Sequence, residues 1–198
     1  VKQLAGIVLA AGRSTRFGSN KLLADLGGKP VVRHVVETAI SGGLSPVIVI
    51  VGHQSERVSE ALLGLDVRIL KNSNFADGMS TSLRLGATSV PPGCSGVMIL
   101  LGDMPRVQSE TIQALAEQFV SKPGSCDAVI PSYNNRRGNP VVLSARMLQR
   151  LDTLSGDNGA RAILDGRNVS VFKVPDPGIL MDTDTPHALE IIRKAHKK

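Results

Sequence analysis

Residues 4–21 read LAGIVLAAGRSTRFGSNK, an apolar run that passes straight into a loop of small, glycine and cationic residues. The run is too continuous for a strand with one wet face, so Leu4 to Ala10 reads as a strand covered on both sides, as in a parallel sheet. Val47 to Val51 and Val97 to Leu101 have the same character. Val67 to Leu70, Ala128 to Ile130, Val141 to Leu143 and Val169 to Val174 are further short β-branched runs. Helical patterns lie between them. Val31, Val32, Val35, Val36, Ala39 and Ile40 share one helical face, opened by Pro30 and stopped by Gly42-Gly43. Ile112, Leu115, Ala116, Phe119 and Val120 make another, with Ser109 as the expected N-cap. A last helix is expected to start at Thr185-Pro186. Strands alternating with helices predict an α/β sandwich with a mainly parallel sheet.

The chain has 198 residues, which fits one domain of residues 1–198 with a full hydrophobic core. The stretch from Asn134 to Ile163 is less regular and reads as an insertion beside the sheet, carrying a substrate wall. With one Tyr, four Phe and no Trp, the core must be aliphatic. Cys94 and Cys126 exclude a disulfide framework and a four-thiolate zinc site. No apolar run reaches the ~18 residues a membrane span needs. The N-terminal run enters Gly12-Arg13-Ser14 rather than a cleavage site, so a strand is the better reading than a signal peptide. A cytoplasmic protein with reduced thiols is expected.

The net charge is +6, and it is not spread evenly. Residues 1–33 carry a net +5 and residues 193–198 a further +4, so the stretch between them is net acidic. The excess points to a localised anionic ligand. Nucleic acid is disfavoured, because the cations are not interleaved with aromatics for stacking.

Six segments carry chemistry. In Leu9 to Lys21, the small residues Ala10, Ala11, Gly12 and Ser14 let a ligand approach the backbone, whose N–H groups can cradle phosphate oxygens. Arg13, Arg16 and Lys21 would neutralise the charge. The loop follows a strand, where α/β sheets bind ligands, yet it is neither a G-x-G-x-x-G fingerprint nor a P-loop. In Gly102 to Pro105, GDMP, Asp103 leaves a buried strand and could hold a hard cation, although an aspartate there is also an ordinary turn residue. In DTDTP, Asp182 and Asp184 point the same way if extended and could join Asp103 at a metal. Asp184 could instead favour the following helix N-terminus, leaving Asp182 the freer ligand. RRGNP (Arg136 to Pro140) and SGDNGAR (Ser155 to Arg161) are polar, glycine-bearing and basic. GMSTSL (Gly78 to Leu83) offers hydroxyls, including Ser80 and Ser82, ahead of a helical stretch. His53 reads as a base-side or helix-start residue, His34 as structural, and Phe17 as packing or a wall of the loop.

Taken in order, LAAG-x-S-x-R-F-G-x-x-K, GDMP, RGNPV, SGDNGAR and D-x-DTP resemble the molybdenum cofactor nucleotidyltransferases, in particular the cytidylyltransferase branch, over residues 4 to about 190. The resemblance implies a Rossmann-like three-layer α/β/α nucleotidyltransferase domain. It implies Mg²⁺-dependent transfer of CMP from CTP to the phosphate of molybdopterin, with pyrophosphate released. It implies a triphosphate site at Leu9, Ala10, Ala11, Gly12, Arg13, Ser14 and Lys21, and base or ribose contacts at Gly78, Ser80 and Ser82. Mg²⁺ would sit on Asp103 with Asp182 or Asp184. Acceptor contacts would come from Gly138, Asn139, Pro140, Asp157, Gly159 and Arg161. A molybdenum enzyme would receive the product, and no membrane or nucleic acid is involved. The guanylyl branch reads LAGG where this chain has LAAG, so the Ala11 methyl should narrow the base pocket toward a pyrimidine. Asn139 stands where the cytidylyl pattern often has His. The rival readings are transfer to a sugar or polyol phosphate, and a non-catalytic molybdenum cofactor carrier.

Overall fold

A computed structural model describes residues 3–15, 17–121, 124 and 126–196. The opening run forms β1 (Leu4–Ala10). The chain then alternates through α1 (Val31–Ser41), β2 (Val47–Val51), α2 (Ser55–Glu60), β3 (Arg68–Lys71), α3 (Met79–Thr88), β4 (Gly96–Leu101), α4 (Ser109–Val120), β5 (Ala128–Tyr133), β6 (Val141–Ser144), β7 (Val169–Lys173) and α5 (Pro186–His196). The sheet order is β7-β5-β6-β4-β1-β2-β3. β1 pairs in parallel with β2 and β4, β2 with β3, and β5 with β7. β6 runs antiparallel to both of its neighbours, β4 and β5. A Rossmann-like α/β architecture results, with helices on both faces of a mostly parallel sheet.

The two faces come from the period-2 alternation of the strands. Leu4, Val8 and Ala10 of β1, Val47, Val49 and Val51 of β2, and Met98 and Leu100 of β4 face one core, filled by α1 and α4. Ala5 and Ile7, Ile48 and Ile50, and Val97 and Ile99 face the other. Leu83 of α3 covers that side with Met147, Leu151, Leu154 and Ile163 from the 3-10 turns Ala145–Thr153 and Ala160–Ile163. Each such aliphatic side chain, fully buried, contributes about 1.5–3 kcal/mol. A third cluster, Leu26, Val31, Leu189 and Ile192, seats α5, with Phe17 packed against it. Phe17 is therefore a packing residue.

The structure corrects three local expectations. Residues 134–163 are not simply an insertion beside the sheet. After a turn at Asn134 and Asn135, both with positive φ, β6 enters the middle of the sheet, and only the turns after it lie on a face. Ser109 is the first residue of α4 rather than its cap. The Asp176 carboxylate, from the segment after β7, accepts from Gln108 N–H (2.9 Å) and Thr111 Oγ1 (2.8 Å) instead. The hydroxyls of GMSTSL lie within α3 rather than ahead of it. Thr185 does cap α5, its Oγ1 accepting from Ala188 N–H at 3.1 Å. Among the described residues no helix is long and apolar enough to cross a membrane.

Candidate active site

A cleft of about 590 Å³ opens beyond the C-terminal ends of β1 and β4. The segment after β1 forms one wall. Ser14 holds a left-handed backbone (φ 54°). Its Oγ accepts from Lys21 N–H (3.2 Å) and its carbonyl from Phe17 N–H (3.0 Å), so the loop folds back on itself. Within the described residues, the backbone N–H groups of Gly12, Arg13, Ser14 and Thr15 make no hydrogen bond. Their open donors suit an anion at this wall. Asn20 ends the loop by accepting from Leu22 N–H, and this starts the short 3-10 turn that presents Lys21.

The opposite wall is acidic. Asp103 follows β4. Thr183, fully buried, donates its N–H (2.9 Å) and its hydroxyl (3.2 Å) to the Asp103 carbonyl. That double contact pins the DTDTP segment to the GDMP turn and turns Asp182 and Asp184, either side of Thr183, into the cleft. Lys21 Nζ donates to Asp103 Oδ2 at 2.5 Å and also to Asp184 Oδ1. Burial disfavours the ammonium, but the charge and hydrogen bonds of Asp103 and then Asp184 outweigh it and hold the Lys21 pKa above its ordinary value. Asp182 is outside this exchange. Its Oδ1 accepts from Asp184 N–H (3.3 Å). Partial burial first, and then the charges of Asp184 and Asp103, push its carboxyl pKa up despite that bond and Lys21.

The cleft gathers Leu9, Ala11, Gly12, Arg13, Ser14, Lys21, Gly78, Ser82, Asp103, Asp157, Asp182 and Asp184 from the expected residues. Others lie elsewhere. Ala10 is fully buried behind the wall. Ser80 is 1% exposed and does not line the cleft. Ser82 Oγ accepts from Asn72 Nδ2 at 2.9 Å, so its hydroxyl already serves the scaffold. Gly138, Asn139 and Pro140 do not line the cleft. Asn139 and Pro140 border a small apolar pocket under β4 with Val35, Thr38 and Met104, while Gly138 packs on Ile179. Gly159 and Arg161 also stand back. Arg161 donates to the Gly138 carbonyl at 2.5 Å, tying the two acceptor segments to each other, and burial followed by Arg137 lowers its pKa. Arg16 lies outside the described residues. The three aspartates share the cleft, yet among the described residues no group of three or more His, Cys, Asp or Glu forms a ready-made metal cage. The expectation of one three-carboxylate site narrows to Asp103 and Asp184, bridged by Lys21, with Asp182 beside them.

Phe75 and Met79 line the cleft without having been expected as site residues. Phe75, just before α3, lies with its ring centroid 5.5 Å from the Arg13 guanidinium carbon. Met79 opens α3, and its N–H donates to Asp157 Oδ1 at 3.3 Å. Gly78 (φ 106°) allows that approach, since a Cβ there would collide with Gly156. A lone phenylalanine in the polar stretch NSNFADG was the available signal.

The model of the MobA-like NTP transferase domain matches residues 6–171. Among curated proteins, the chain is 28% identical over 210 residues to the purine catabolism protein PucB of Bacillus subtilis, covering 97% of each. It is 37% identical over 127 residues to the bifunctional protein GlmU of Geotalea uraniireducens, covering 62% of this chain and spanning only 27% of that protein's length. Among solved structures, a nucleotidyl transferase from Methanothermobacter thermautotroptrophicus superposes with a TM-score of 0.86 at 26% identity, covering 100% of this chain and 99% of that one.

Proposed function

The chain belongs to the MobA-like NTP transferase domain family, a family of nucleotidyltransferases, and from that premise we propose that it moves CMP from CTP to the phosphate of molybdopterin, releasing pyrophosphate. One observation carries the reading. A wall of open N–H donors and Arg13 faces a wall of carboxylates across one cleft, with Lys21 reaching between them. Around a triphosphate, the open amides of Gly12 to Thr15, with Arg13 and Lys21, would hold the β- and γ-phosphates and take up charge as pyrophosphate leaves. An oxygen of the acceptor's phosphate attacks the α-phosphorus, forming the new P–O bond as the bond to the β-phosphate bridging oxygen breaks. That phosphate is already anionic at neutral pH, so positioning rather than a strong base does the work.

The cleft fits a divalent cation. Its described lining holds four carboxylates against two basic side chains, and a triphosphate would add further negative charge. Asp103 and Asp184 or Asp182 would hold Mg²⁺ through hard oxygen donors, and Mg²⁺ would there neutralise phosphate charge. Base choice rests on Ala11. It lines the cleft, and a Cβ at Gly52 would fall 2.8 Å from its methyl, so the corner is already filled. Asp157 and Met79, which meet at the start of α3, are the proposed acceptor contacts. Gly138 to Pro140 stand outside the cleft, and transfer to a sugar or polyol phosphate is the alternative acceptor reading.

Pyrophosphate release tests this, measured with CTP against GTP and with molybdopterin against sugar and polyol phosphates. CTP with molybdopterin should dominate, and Asp103→Ala should lower the rate by at least about a hundredfold while leaving the circular dichroism unchanged. Preference for GTP would overturn the Ala11 argument, and turnover with sugar phosphates alone would overturn the acceptor.

A further inference from the structure

Phe75 is held in place more firmly than a surface aromatic needs to be. The turn that carries it hangs from Asn72, which is 5% exposed. Asn72 donates to Thr81 Oγ1 (2.8 Å) and Ser82 Oγ (2.9 Å) and accepts from Asn74 N–H (2.9 Å). Thr81 Oγ1 in turn donates to the Asn74 carbonyl at 3.0 Å, and Asn72 N–H donates to the end of β2 at Val51. The turn is thus tied to both β2 and α3. Gly52 completes the arrangement. A Cβ there would come within 2.7–2.8 Å of Phe75 Cβ and Cγ and of the Ala11 methyl, so the missing side chain is the space the ring occupies. The His53 ring is tilted toward Phe75, with centroids 6.2 Å apart. Arg13, exposed and without an ion pair among the described residues, has this ring face beside its guanidinium.

We propose that Phe75 is a positioning residue for Arg13: its ring face keeps the guanidinium poised beside the open amides of Gly12 to Thr15 for the β- and γ-phosphates of an incoming nucleoside triphosphate. An exposed arginine on a flexible stem samples many rotamers, and a ring face that selects one of them lowers the ordering cost of binding. The inference rests on the reading that Arg13 meets those phosphates.

The test is a double-mutant cycle of Phe75→Leu and Arg13→Ala, read as equilibrium binding of CTP and of CMP, with Phe75→Trp as the variant that keeps a π-face. Phe75→Leu should weaken CTP binding about two- to fivefold, the worth of a cation–π contact at an exposed arginine. It should leave CMP binding unchanged, since CMP lacks the outer phosphates. Phe75→Trp should restore CTP binding, and in the Arg13→Ala background Phe75→Leu should add nothing. Equal losses for CTP and CMP would overturn the proposal, because the ring would then be serving the base or ribose. Additive losses, with Arg13→Ala itself weakening CTP, would overturn the proposal alone. Unchanged CTP binding in Arg13→Ala would overturn the phosphate role of Arg13 itself.

Discussion

Lys21 offers a prediction in which one substitution moves two affinities in opposite directions. Its ammonium bridges the carboxylates of Asp103 and Asp184, with side-chain exposures of 14% for Lys21, 17% for Asp103 and 37% for Asp184. A charge-assisted hydrogen bond as sheltered as that to Asp103 is worth about 1.5–3 kcal/mol. The more exposed contact to Asp184 is worth about 0.5–1 kcal/mol after solvent screening. A divalent cation that takes both carboxylates in the nucleotide-free protein must displace the ammonium. Rehydration of the freed ammonium returns roughly half of the loss, leaving a penalty of about 1–2 kcal/mol. Lys21→Met keeps the apolar stem and removes that competitor. The variant should therefore bind Mn²⁺ about fivefold to thirtyfold more tightly than wild type without nucleotide. Counting free Mn²⁺ by electron paramagnetic resonance during a titration measures this directly. The same variant should bind CTP more weakly, and CMP nearly as well as wild type. Unchanged or weaker Mn²⁺ binding in Lys21→Met would refute the idea that the ammonium and the metal compete for these oxygens.

Two further outcomes are expected. Asp176 is 1% exposed and accepts from Gln108 N–H, Thr111 Oγ1 and Gly178 N–H. Asp176→Ala removes a helix cap and strands buried donors, which should cost about 3–4 kcal/mol. In a chain of this size that lowers Tm by about 6–16 °C; calorimetry showing a drop under about 2 °C would sink the assignment. For Asp182, the folded-state carboxyl pKa is raised above the ordinary 3.8. Its contribution is fully present below that ordinary value and is lost as pH rises through the higher folded value. Urea unfolding of wild type against Asp182→Asn should show the wild type losing stability relative to the variant as pH rises through that window, and the opposite trend would contradict the sign.

The strands were legible because burial on both faces writes continuous apolar runs, and β1, β2 and β4 carry them almost undiluted. Direction was not legible. Val141 to Leu143 reads as a strand from its residues, but nothing in a period of two says that β6 runs against its neighbours. The loop from Gly12 to Lys21 and Asp103 could be anticipated because each follows a strand end, where this class of sheet exposes its loops. Thr183 was hidden between two more conspicuous aspartates, although the same alternation that turns them outward turns it in. Phe75 stood out in its polar stretch but could not be placed, because its position depends on a side chain missing at Gly52, more than twenty residues away. The cap of α4 was missed because its donor of stability, Asp176, arrives from beyond β7 rather than from the preceding residue. Short-range patterns name the elements, and contacts made across the chain decide what the elements hold.

The clamp of Thr183 on the Asp103 carbonyl also has a bearing on biosynthesis. The loop after β1 leaves the ribosome before Asp103, and the segment that supplies Asp184 emerges some eighty residues after Asp103. A nascent chain that has already formed β1, β2 and β4 therefore still lacks half of the carboxylate pair. The pairing of Lys21 with both carboxylates is complete only when the segment after β7 docks. Under the proposed function, late docking of this kind would keep an incomplete translation product from sequestering triphosphate or divalent cation while it waits to finish folding.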